Sequence, residues 1–355
     1  MRRRDLLWAT LATPACSAAR AARPAVQHPR LAAAWDTPEG SRIGVLARHG
    51  GGWRAAASQG VPTRAHGVVV EPEGSVLVVA RRPGDWLLRW QPSTGAARWH
   101  WSGEGQRMFN GHARRRGGLL FTTETELDSG AGRVVVRDAR SFAVQAVWPS
   151  GGVDPHDLCF DADGMLWVAN GGIATRPETG RAKRALEHMD SSLVRLDAGS
   201  GRLLGQWRLA DRRLSLRHLA RHGDRLAIAL QAEHDDAGAR AAAPVLALFD
   251  GRGGGVLRAA DLAEPLAGYG GDVAASAEGF VVSAPRAGAA VVFDRDGEWL
   301  RRLPHAQACP LAVRGGTVFA GGEGAVLSVA GAEASLDAIA PALRLDNHWQ
   351  VLAAG

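Results

Sequence analysis

Five histidines of this chain occupy one place in a repeating pattern. His66, His112, His156, His218 and His348 each open a short apolar strand; in the complete copies it runs through a turn into a second one, as in HGVVVEPEGSVLVVA from His66 and HDLCFDADGMLWVAN from His156. Two further copies put Asp272 (GGDVAASAEGFVVSAP) and Cys309 (ACPLAVRGGTVFAGG) at that place. Seven units, each with one residue able to ligate a metal, imply a ring. Neutral imidazole is the commonest transition-metal ligand, and imidazoles with a thiolate suit Cu, Fe or Zn better than Mg or Ca. The expected metal ligands are therefore His66, His112, His156, His218, Asp272, Cys309 and His348. The ends of the second strands should reach the same mouth, bringing Arg82 (or its neighbour Arg81), Glu124, Asn170 and Gln231. Arg217 and Asn347 each precede a ring histidine and join this ligand-binding set. Glu124 and Asn170 are placed to orient imidazoles from behind.

Other uses of the same residues stand beside this one. The mouth fits a polar organic ligand equally well. Repeats of the WD type carry a Gly-His pair whose histidine makes a structural hydrogen bond, and Gly111-His112 looks like such a pair, although no unit has the matching Trp-Asp. Asp161-Ala162-Asp163-Gly164 resembles the start of a calcium loop but lacks the later ligands, and reads as a turn. Ser191, Ser192 and Ser215 have no G-x-S-x-G context, so nucleophilic catalysis has no support. His188, His222, His234 and His305 fall in loops and are expected in solvent. Trp86, Trp90, Trp99 and Trp101 read as packing between repeats.

The elements that must position the ring are short strands. Units of roughly 40 to 55 residues have room for four strands each, a spacing typical of propeller blades. The first unit shows it best: His66 to Val70, Ser75 to Ala80, Trp86 to Trp90 and Ala96 to Trp101, with turns at Pro72-Glu73-Gly74 and Ser93-Thr94-Gly95. Outer strands of the third unit fall at Leu193 to Asp197 and Leu203 to Leu209. The ends leave remainders: three strands near Arg30 to Trp35, Arg42 to Ala47 and Trp53 to Ala57, and one at His348 to Ala353. Together they complete a seventh blade, which removes the open sheet edges. The fold class is all-β, a seven-bladed propeller with three-plus-one closure, in one domain over residues 28–355. Helical periodicity is confined to the N-terminus and Gly180 to Met189. The one long insertion, Gly171 to Ser191, should overhang the histidine mouth.

Charge and termini bound the function class. The net charge is +6, yet Lys183 is the only lysine among 42 basic residues. The arginines are scattered rather than striped and no nucleic-acid motif accompanies them, which argues against a nucleic-acid partner. Residues 1–25 read as an export signal. Arg2, Arg3 and Arg4 precede a short apolar run and a small-residue zone, and Arg3-Arg4-Asp5-Leu6-Leu7 resembles the twin-arginine signal. The run is too short for a permanent span. Cys16 opens a lipoprotein option, against which Thr13 and Pro14 count. Cys159 and Cys309 do not make a disulfide scaffold, and a bridge between them would have to reach from the third unit to the sixth.

FNGHARRRGGLLFTTETELDSGAGRVVVRD, PSGGVDPHDLCFDADGMLWVANGGIATRPETGR, MDSSLVRLD and LSLRHLA resemble the exported bacterial family called domain of unknown function 1513, over nearly all of the chain beyond the signal. The resemblance implies a seven-bladed propeller of the YVTN or quinoprotein-like kind. It also implies a periplasmic setting beside imelysin-like and di-haem peroxidase-like proteins, hence iron acquisition. It supplies no catalytic residues. The matching histidines are His112, His156 and His218. The leading expectation is a monomeric, non-enzymatic propeller that binds a transition metal or metal complex. The alternatives are a lactonase-like metal-dependent hydrolase, or an interaction scaffold that docks through Gly171 to Ser191.

Overall fold

The computed structural model describes residues 29–102, 106–174, 186–251, 255–339 and 343–352. Seven four-stranded antiparallel sheets form the blades. The innermost strands of blades 1 to 6 are Ala65–Val70, Arg107–Arg116, Pro155–Phe160, Leu214–His222, Asp272–Ala275 and Leu311–Arg314. Each of these is followed by its three partners in chain order, except in blade 7. There the C-terminal strand Arg344–Leu352 enters as the innermost strand and pairs with Arg30–Thr37. Gly40–His49 and Gly52–Gly60 complete that sheet. The ring is thus closed by both ends of the chain, as the leftover strands required.

The core lies between the blades. Each seam is filled by alternating apolar residues from two neighbouring sheets, because strands buried on both faces present side chains to both neighbours. Trp86 and Trp90, for instance, pack with Val45 and Ile43 of blade 7, while Trp167 and Phe249 join blades 3 and 4. Trp101 is half exposed and takes no part in such a seam.

The differences from expectation are local. A short helix, Ala237–Ala242, interrupts blade 4 between its second and third strands, with Asp236 capping the Ala239 amide. Its signal was available: an N-capping aspartate before an alanine-rich run. Of the helical stretch expected at Gly180 to Met189, Leu186–His188 is a single 3-10 turn and residues 180–185 lie outside the described residues. So does the export signal. Asp161 makes the expected turn, its carboxylate taking the Met165 amide and the Trp167 indole. Cys159 and Cys309 are free thiols. His305 is buried rather than solvated, its ring lying against Gly322. Among the described residues no helix is long and apolar enough to cross a membrane.

Candidate metal centre

All five histidines sit where the innermost strand departs from regular pairing. In blades 1 to 4 and 7 the register between the first two strands slips at Ala65/Val68, Phe109/Ala113, Pro155/Asp157, Leu216/Leu219 and, in blade 7, between Trp349 and Leu345. Each slip contains the histidine. A bulge re-aims the side chain it carries, and here five imidazoles turn into the axis together. Blades 5 and 6 have no such slip at Asp272 or Cys309. Asp272 pairs regularly with Ser283, and Cys309 precedes its strand.

The imidazoles form one buried layer. Ring centroids of the contacting pairs are 4.4 to 6.1 Å apart, with His218 and His348 the nearest pair. All five are buried. Close approach depends on glycine. Gly111 has φ +104° and a Cβ there would stand 2.6 Å from Cδ2 of His66, while a Cβ on Gly67 would stand 2.3 Å from the Gly111 carbonyl. The Gly-His pair is therefore a spacing device for the ring.

Two carboxylates hold the layer from its sides. His112 Nδ1 lies 3.3 Å from Asp157 Oδ1, and His348 Nδ1 lies 3.2 Å from Asp272 Oδ2. Each aspartate is fixed in turn by two backbone amides, those of Leu158 and Leu219 for Asp157 and those of Val273 and Leu311 for Asp272. Arg114 also pairs with Asp157 at 3.1 Å. An Nδ1 hydrogen donated to carboxylate leaves the lone pair on Nε2, and Nε2 of both His112 and His348 is buried with no hydrogen-bond partner. Nδ1 of His218 is likewise buried and unpartnered. A buried polar atom left unpaired costs about 1–3 kcal/mol. Carboxylate–imidazole pairs with the far nitrogen unfilled are the usual setting of a metal-ligating histidine.

The protonation states suit that role. Burial pushes the pKa of His112, His156 and His218 well below the ordinary imidazole value, and the neighbouring imidazoles push in the same direction. These rings are neutral and have lone pairs at neutral pH. Among the described residues four overlapping sets have one ligand atom per residue within 4.8 Å of one another: His66, His156 and His218; His66, His112 and His348; His112, Asp157 and His218; and His218, Asp272 and His348. A tetrahedral ion with Zn–N bonds of about 2.0–2.1 Å separates its ligand nitrogens by about 3.4 Å, so loading asks the rings to draw inward.

The other expected residues divide. Cys309 is in none of these sets among the described residues. Its thiol lies near Gly271, and burial and the carboxylates of Asp272 and Asp346 raise its pKa, so it stays protonated. Glu124 faces away from the axis and pairs with Arg137 at 2.7 Å and Arg107 at 3.3 Å. Strand alternation explains this, because its neighbour Thr123 takes the inward place and donates to the His112 and His156 carbonyls. The Asn170 amide nitrogen donates to the Ser150 carbonyl and the Ser192 hydroxyl, and its buried oxygen has no hydrogen-bond partner. Arg82, Arg217, Gln231 and Asn347 do reach the mouth, with Arg81, Asn110 and Tyr269, and they border His66, His156 and His218. Farther along the innermost strands, His112, His348, Asp157 and Asp272 border a separate cavity of about 330 Å³. Sequence reasoning missed Asp157 and Asp346, the latter 3.8 Å from His66. Asp157 directly follows a ring histidine and Asp346 lies two residues before one, and in a regular strand Asp157 would face away from its histidine.

Comparison with known proteins agrees with this architecture. Residues 59–352 match the family described as Protein of unknown function (DUF1513). The chain belongs to that family. Its fold is shared with several solved structures of low sequence identity. A streptogramin B lyase structure has a TM-score of 0.56 at 11% identity, covering 78% of this chain and 83% of that one. Virginiamycin B lyase from Staphylococcus aureus has 0.55 at 10% identity, with 83% and 86% covered. BamB from Moraxella catarrhalis has 0.52 at 16% identity, with 85% and 81% covered. At such identities the likeness concerns the propeller alone. No curated protein sequence matches the chain.

Proposed function

We propose that this DUF1513 protein is exported to the periplasm and there holds one first-row transition-metal ion in the five-histidine layer, as a carrier in iron acquisition rather than as an enzyme. The observation that carries the reading is the pair of buried, unpartnered Nε2 atoms on His112 and His348, each opposite an Nδ1 that faces an aspartate, hydrogen-bonded in His348 and 3.3 Å away in His112. Purely structural histidines would explain the Nδ1 contacts but not why Nε2 of both rings is buried without a partner. A donor set of imidazoles with flanking carboxylates favours Fe(II), Cu(II) or Zn(II) over Mg or Ca. A bare ion fits better than a metal complex, because the layer leaves no room among its rings. Iron is favoured by the setting that the family resemblance implies, as are the imelysin-like and di-haem peroxidase-like partners. The twin-arginine-like signal, with Cys16 as a lipidation option, supports export. The hydrolase reading needs Glu124 and Asn170 beside the ion; Glu124 pairs with Arg137, and Asn170 borders neither cavity at the histidines.

Elemental analysis of untagged protein from its native compartment tests this. About one equivalent of iron, copper or zinc is expected, lost in a His112→Ala/His348→Ala variant that still folds. Metal-free protein that takes up none of the three on anaerobic titration would overturn the reading.

A further inference from the structure

The two sides of the histidine layer differ in charge and in space. Asp157 and Asp272 flank the larger cavity. The opposite mouth carries Arg81, Arg82 and Arg217, and only about 30 Å³ is open there. Asp154 binds Arg82 through one carboxylate oxygen and Arg217, at 3.2 Å, through the other. The other acids nearby are Glu233, which accepts from Gln231, and Asp346, which pairs with Arg64 at 2.8 Å. With the Arg64–Asp346 pair set aside, three guanidiniums face two carboxylates and one positive charge is left. Arg217 is buried, its Nε has no hydrogen-bond partner, and its Nη1 stands 3.5 Å from Nδ1 of His156. Arg81 also has a buried, unpartnered Nη1. Guanidinium hydrogens left unfilled beside an excess positive charge call for an acceptor that is itself anionic.

From this geometry we infer that the arginine mouth binds one small oxyanion or carboxylate, seated between Arg81 and Arg217 over the His66, His156 and His218 rings. The inference rests on the metal reading for its second half: the same anion is an exogenous ligand of the ion and offsets part of its charge. Size sets the class. One water needs about 10–15 Å³, so the space of about 30 Å³ admits an anion of two or three heavy atoms, such as formate, and not a tricarboxylate. Gly171 marks the rim, since a Cβ there would stand 2.6 Å from Asp154 Oδ2 and 3.2 Å from Arg217 Nη1.

The test titrates metal-free and Zn(II)-loaded protein with sodium formate, and with citrate as the size control, by calorimetry and ¹³C relaxation of labelled formate. One formate per chain is expected in both forms, at least tenfold tighter with zinc, and citrate should give no heat with the metal-free protein, where it has no ion to chelate. Arg81→Met and Arg217→Met should each weaken formate binding at least tenfold, with folding checked by circular dichroism and zinc content measured in parallel. Zinc uptake without formate binding would overturn the inference and leave the metal reading intact. Formate that binds the folded Arg81→Met variant as tightly as the wild type would overturn it as well. Formate binding to protein that takes up no zinc would instead uphold the anion site and sink the metal reading.

Discussion

At the scale of single residues, the centre depends on which nitrogen each imidazole offers, and that choice belongs to the aspartates. Asp272 is the clearer case. It takes the Val273 and Leu311 amides and His348 Nδ1, whereas Asp157 also meets Arg114. Asp272→Asn keeps the shape but no longer sets the His348 tautomer, since an amide can turn either its oxygen or its NH₂ to the ring. Loss of such an outer partner typically costs 10–100-fold in metal affinity. We expect a drop of that order for Asp272→Asn, read by competition with a chelator of known affinity. An unchanged affinity would show that His348 is oriented by packing alone. Cys309→Ser is expected to leave metal affinity within about twofold, because the thiol stays outside the ligand sets and burial holds it protonated. A large loss in the same competition assay would return the thiol to the ligand set.

At the scale of elements, the bulge is the device that makes a site out of a sheet. A regular strand sends alternate residues to opposite faces, and on that rule His156 and Asp157 part company. The register slip lets both reach the central layer. For this reason the histidines and Asp272 are legible in the sequence, whereas Asp157, on the residue after a histidine, is not. The strands themselves were easy to read: Trp86–Trp90 is found where its apolar run placed it, and the closing strand begins only a few residues before His348. Glu124 illustrates the limit, because an offset of one residue exchanges it with Thr123. Blade spacing can be tested at Gly111. Gly111→Ala must accept φ +104° and a Cβ 2.6 Å from His66 Cδ2. Strain of this kind costs roughly 1–3 kcal/mol. A melting temperature lower by several degrees is expected, with weaker metal binding as the His66 ring is displaced. A variant that melts and binds like the wild type would mean that the neighbouring blades slide apart at no cost.

At the scale of the whole molecule, the buried layer couples stability to pH and, on the proposed function, to metal. His112, His156 and His218 are held neutral when folded but take up protons near pH 6.5 once exposed by unfolding. Below that pH the unfolded chain binds more protons than the folded one, so stability falls as pH falls. His100 and His305, whose pKa values burial also lowers, add in the same direction. For the three ring histidines the slope approaches about 4 kcal/mol per pH unit once all are protonated in the unfolded chain and none in the folded one. Urea midpoints of metal-free protein should therefore fall steeply between pH 6.5 and 5. Saturating metal should raise the midpoint at every pH in that range, since an ion that binds only the folded ring stabilises it by mass action. The remedy and the weakness share a location: the ring closed by the two chain ends concentrates its unfilled nitrogens at the axis, where either protons or an ion must meet them. A midpoint flat across this window would mean that the folded layer takes up protons as readily as the open chain. The imidazoles would then be in contact with water, and the unfilled nitrogens at the axis would have a partner other than a metal.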